Sequence, residues 1–190
     1  MTQAPYMADS PVSVHKPGTM AQAAVAATAP EGMLIAPIWK RIVALALDVF
    51  LIAIILAFLT QSLFFAYVFS INLLITSQAP YVLGSWIILL TFFWLYFKYT
   101  GRQYGRSLGQ RAMRIAIVHD DGSLLGINHW GRRAAHKLKY IIPYLGQIWG
   151  LWDVFKTWRH ETKRSPVDLA NHTVAAVDWS LPIETRGGLR

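Results

Sequence analysis

Apolar positions along the chain fall into three blocks. From Ile42 to Ile75 only Asp48, Thr60, Gln61, Ser62, Ser70 and Asn72 break the apolar character, more than one span of about 20 residues requires. The pattern predicts a membrane-crossing helix over 38–64, with 65–75 either extending it or lying at the far interface. Pro80 marks a turn. The second block, 81–99, predicts another crossing helix, ending in Phe92, Phe93, Trp94, Tyr96, Phe97 and Tyr99, the aromatic composition of a membrane interface. The third block, 140–155, is shorter than a full crossing needs, contains Pro143 and Asp153, and has basic residues on both sides. One helix is expected over 129–158, and both a third crossing and a re-entrant or interfacial course fit its apolar half.

Between the second and third blocks the period changes. Met113, Ile115 and Ile117 alternate with Arg114, Ala116 and Val118, and Asp121-Gly122 offers a turn before Leu124 and Leu125. A β-hairpin is expected over 112–127, leaning on the helices because a lone hairpin is marginally stable. Residues 1–36, with Pro5, Pro11, Pro17, Pro30 and an Ala-rich run, carry no periodicity and no basic-then-apolar leader, which predicts a disordered tail. Residues 181–190 read as a frayed tail. The expected fold is an all-α membrane protein: two crossing helices, a third membrane or re-entrant helix, and a small cytoplasmic hairpin, all within 37–180.

Composition agrees with that class: 54% of the 190 residues are hydrophobic and only 15% charged. The net charge of +8 could face nucleic acid or anionic lipid. Its placement decides for lipid: Lys40 and Arg41 precede the first block, no charge separates the first two, and Lys98, Arg102, Arg106, Arg111 and Arg114 follow the second. The positive-inside rule then puts the N-terminus in the cytoplasm. With no cysteine, disulfides, thiolate metal sites and cysteine nucleophiles are excluded.

Candidate chemistry centres on Asp48. A carboxylate near the middle of a membrane helix costs about 2.5–3.5 kcal/mol on insertion scales and needs a partner, a proton or a wet cavity. Arg41 lies two turns earlier, about 10 Å along the axis, on the same face as Ala44, whose small side chain lets another backbone approach. Gly105-Arg106-Ser107-Leu108-Gly109 matches a hydrolase nucleophile elbow in letters only, because a membrane helix precedes it where a buried strand is needed. The six histidines lack metal-binding spacing, so neither a metal nor a cofactor is expected. Trp130, Trp149, Trp152, Trp158 and Trp179 read as interfacial anchors.

Taken together, these residues resemble the RDD family of bacterial membrane proteins, named for one arginine and two aspartates. Arg41 matches the arginine, Asp48 the first aspartate and Asp168 the second, ahead of Thr173-Val174, while Gly105, Ser107, Gly109 and Arg111 fit the stretch after the second helix. Val167 and His172 depart from the pattern. The resemblance implies a multi-pass, non-enzymatic protein of the bacterial inner membrane. It is consistent with a part in small-solute or cation/proton transport, or with a scaffold assembling with a membrane-protein partner or its own copies. Two readings of Arg41, Asp48 and Asp168 stay open. Asp48 could bind a proton or cation in a cavity, with Arg41 tuning it and Asp168 closing the mouth. Alternatively the three could form a charge network docking the C-terminal segment on the first helix.

Overall fold

The computed structural model describes Pro30 and residues 32–160 and 162–189, so most of the expected N-terminal tail lies outside the described residues. Helix α1 (Ile38–Thr60) starts after Pro37 and spans 23 residues, about 34 Å, enough for a hydrocarbon core of about 30 Å. It stops short of the expected end because Gln61 and Ser62 both take left-handed backbone, and the Ser62 N–H donates back to the Ala57 carbonyl at 2.9 Å. The short helix α2 (Leu63–Val68) and a 3₁₀ turn, Ile71–Ile75, follow. Helix α3 (Ala79–Tyr104) carries Pro80 in its first turn and ends where Gly105, at φ 68°, donates its N–H to Gly101. It outruns the expected end at 99, since Lys98 lies along the helix over the Trp94 ring at 4.3 Å and breaks nothing.

Both long helices carry a four-residue buried stripe: Ala44, Asp48, Ile52 and Leu56 on α1, and Ser85, Leu89, Phe93 and Phe97 on α3. Their other faces stay apolar and uncovered, with Phe50, Ile54 and Phe58 (85% exposed) on α1 and Tyr81, Ile87 and Ile88 on α3. Uncovered apolar surface of that extent fits lipid rather than water. Among the described residues these two helices are long and apolar enough to cross a membrane.

The second half departs from expectation. After α4 (Leu108–Ala112) comes strand β1 (Ile115–His119), which forms no hairpin over 112–127. The turn at Asp121-Gly122 exists, but pairing back ends at one bridge, Val118 to Leu124. The partner of β1, which is buried on both faces, lies far along the chain in strand β2 (Thr173–Val177). The helix expected over 129–158 is broken into α5 (Ile127–Lys137), a 3₁₀ turn, Leu138–Tyr140, and α6 (Leu145–Arg159). Pro143 lacks a backbone donor and Tyr144 sits at φ 64°, so the helix is interrupted there. Gly146 lets α6 cross the preceding turn, since a Cβ there would lie 2.4 Å from the Tyr140 carbonyl oxygen.

After α7 (Pro166–Ala170), β2 (Thr173–Val177) pairs antiparallel with β1, Ile115 opposite Val177 and His119 opposite Thr173. Its other edge takes the segment before α1, with Ala36 N–H donating to Ala175 and Val177 N–H to Leu34. The expected tail therefore ends as an added edge, and β2 is buried throughout. The C-terminal end is not frayed either: α8 (Ile183–Gly188) follows buried Leu181, and Gly188 and Leu189 pack on Leu124 and Gly105.

Candidate functional site

Asp48 is 1% exposed and bonded entirely within the fold. Its Oδ1 accepts from the Tyr96 hydroxyl at 2.6 Å and the Gly109 N–H at 2.7 Å, and its Oδ2 from the Ser107 hydroxyl at 2.5 Å. The donors surround the start of α4, where backbone N–H groups have no helical partner. Leu108 N–H donates to Tyr96, Gly109 N–H to Asp48, and Gln110 N–H to Ser107, while Gln110 returns its side-chain oxygen to Ser107 N–H, closing a capping box. Gly105, Ser107, Gly109 and Gln110 thus each have a task. Gly105 ends α3, Ser107 caps α4, and Gly109 lets α4 touch α1, where a Cβ would stand 2.1 Å from the Ala44 carbonyl oxygen. The small face at Ala44 admits a backbone, as its spacing implied. Arg111 takes no part: it is exposed and lies near the Tyr104 ring.

Asp168 forms a second, separate set. Arg41 donates to its Oδ2 at 3.2 Å and Arg133 to its Oδ1 at 2.6 Å. As the third residue of α7, Asp168 also completes a capping box with Ser165. Arg133 reaches Thr173 as well, Arg41 donates to the Ala36 and Ala175 carbonyls, and Arg164 joins the Thr173 carbonyl to Asp120. Burial alone would raise the Asp168 pKa. The charges of Arg133 and Arg41 outweigh it and hold the carboxyl below the usual carboxylate range.

The three residues expected as one cluster therefore divide. Arg41 and Asp168 pair, joined by Arg133, and Asp48 bonds to neither, although all line one cavity. That cavity, of about 500 Å³, lies between α1, α5 and α6 and is lined by Arg41, Asp48, Arg133, Lys137, Asp153 and Asp168 among largely apolar neighbours. Asp153 is held by Lys139 and by the Tyr140 hydroxyl at 2.6 Å.

Sequence reasoning missed Tyr96, Arg133 and Ser165. Tyr96 was hidden in an aromatic belt and Arg133 in a basic run, where neither stands out by type. The Ser165-x-x-Asp168 spacing was the one readable signal, a capping box just before an apolar run. Among the described residues no group of three histidine or acidic side chains could hold a metal ion.

No curated protein and no solved structure matches the chain. The model of the RDD family matches residues 35–172, which takes in Arg41, Asp48, the Ser107 cap and Asp168. By that match, over most of its length, the chain belongs to the RDD family.

Proposed function

We propose that the protein is a non-enzymatic, multi-pass binding component of a small-solute pathway in the bacterial inner membrane, with Arg41, Asp48 and Asp168 building its frame. One observation carries this reading: Asp48 is sealed by three donors, while beside it lies a cavity of about 500 Å³, the size of small-molecule sites. A carboxylate that exchanges protons or cations needs room for water and free lone pairs, and Asp48 spends most of its acceptor capacity on Tyr96, Ser107 and Gly109. The basic residues at the start of α1 and the end of α3 support a cytoplasmic N-terminus beside anionic lipid.

Native mass spectrometry of the protein released from the membrane should find a small molecule bound, lost in Val154→Trp, which fills the cavity. Protein without any adduct, together with cation-dependent proton flux in reconstituted vesicles, would overturn the reading. A second role, as a scaffold for a larger assembly, is favoured by α6, which leaves Trp149, Trp152, Phe155 and Trp158 uncovered. It predicts a partner, or a second copy, in constant ratio after purification in mild detergent.

A further inference from the structure

The cavity wall contains a charge without a counter-charge. Among the described residues the ion pairs are Arg41–Asp168, Arg106–Asp178, Arg133–Asp168, Lys139–Asp153 and Arg164–Asp120, and none includes Lys137. Lys137, whose ammonium stands 4.3 Å over the Phe97 ring, is among the residues that line the cavity. One turn earlier on the same helix face is Arg133, whose guanidinium is committed to Asp168 and Thr173 but whose Nε is buried with no partner. Cations at i and i+4 repel.

No carboxylate in the wall is free to answer them. Asp48 is taken by Tyr96, Ser107 and Gly109, Asp168 by Arg41 and Arg133, and Asp153 by Lys139 and Tyr140, so Asp48 and Asp168 act on Lys137 only through space. Burial and the Arg133 charge lower the Lys137 pKa to about 8, which still leaves an ammonium at neutral pH. Most of the remaining surface of the lining is apolar, including Ile38, Ile42, Leu45, Leu151 and Val154, with Gln110, Gln147, Thr157 and Ser165 as polar members. Ile42 (46% exposed) and Leu151 (73% exposed) also face outward, so the cavity opens between α1 and α6 onto the same apolar surface as the long helices.

Resting on the reading that this cavity binds a solute, we infer that its ligand is a lipid-derived anion with one apolar chain. The carboxylate or phosphate head sits at Lys137 and the Arg133 Nε. The chain lies along Ile42, Leu45, Leu151 and Val154 and reaches the site sideways from the bilayer.

The test is photolabelling of the full protein in phosphatidylcholine vesicles with a fatty acid carrying a diazirine on its chain, mapped by peptide mass spectrometry. Label should fall on peptides containing Leu45 or Val154. Dodecanoate and dodecyl phosphate should compete and dodecanol should not, the stronger anion identifying the head group. Lys137→Gln should cut labelling about tenfold, the loss of one charge-assisted bond, and Lys137→Arg should restore it. Gel filtration checks that both variants fold. Equal competition by dodecanol, or full labelling of a folded Lys137→Gln, would overturn the anion assignment while leaving a cavity that binds solute. Label confined to outward residues of α6 such as Trp152 would overturn both.

Discussion

Replacing Asp48 with asparagine should weaken the fold, and the size of the effect follows from the bonds. The amide oxygen can take the Oδ1 position and keep Tyr96 and Gly109, at 2.6 and 2.7 Å. The amide nitrogen then faces the Ser107 oxygen, which already accepts from Gln110 N–H, and the Ser107 proton loses its acceptor. Hydrogen bonds to a charged group are worth about 1.5–3 kcal/mol and neutral ones about 0.5–1.5. One bond lost and two weakened give about 2–3 kcal/mol. For a chain of this length that lowers the melting temperature by about 4–12 °C. Thermal scans in mild detergent, read by fluorescence-detected gel filtration, measure the shift. Tyr96→Phe alone should cost about 1 kcal/mol, and the double variant should cost less than the sum, because Asp48→Asn already weakens the bond that Tyr96→Phe removes. Asp48→Leu should be worse than Asp48→Asn, since it orphans all three donors. If Asp48→Asn melted with the wild type while cation-driven proton flux vanished, the carboxylate would be a carrier and the reasoning from its bonds would be wrong.

Three further expectations are open to measurement. Gly109→Ala should cost about 3 kcal/mol or more and sharply reduce folded yield, because its Cβ would meet the Ala44 carbonyl at 2.1 Å, whereas Gly84→Ala, with open space around it, should change little. The folded pKa of Asp168 lies below its unfolded value of about 3.9, so its stabilisation is complete above that value and is lost as pH falls through the folded one. Acid titration of the melting temperature should therefore fall less steeply below about pH 4 in Asp168→Asn than in wild type, on top of a loss of about 3–5 kcal/mol at neutral pH for breaking a buried pair. Because the chain has no cysteine, Ser77→Cys and Ser123→Cys, both at exposed positions, report topology directly: an impermeant thiol reagent outside intact cells should label the first and spare the second.

What could be read from the sequence follows from how local each signal is. The two long helices declare themselves through unbroken apolar runs, and the shared face of Arg41, Ala44 and Asp48 through the helical period alone. The capping at Ser107 is visible in type, but the serine's second task is not, because its acceptor, Asp48, lies 59 residues away in sequence. The strand partner was beyond reach for the same reason: a turn at Asp121-Gly122 is a strong local hairpin signal, whereas the strand that pairs with β1 over its whole length begins only at Thr173. The break at Tyr144 escaped because Pro143 weakens a helix without saying whether it kinks or stops; the left-handed Tyr144 and the close approach of Gly146 to the Tyr140 carbonyl make it a stop and a tight turn.

The two aspartates do the same work at two places. Each completes or backs a serine capping box at the start of a short helix, Ser107 for Asp48 and Ser165 for Asp168, and each ties that helix to residues distant in sequence. Through Asp48, α1 holds α3 and α4; through Arg41 and Asp168, the same helix holds α5, α7 and the sheet. The cavity wall is thereby fixed before any ligand arrives, which spares a ligand the cost of ordering it. Fixing α5 through Arg133 also fixes Lys137 one turn on, beside a like charge and, among the described residues, in no ion pair. Arg41, Asp48 and Asp168 therefore set the frame, and the like charges of Arg133 and Lys137 stand where an anion would relieve their repulsion.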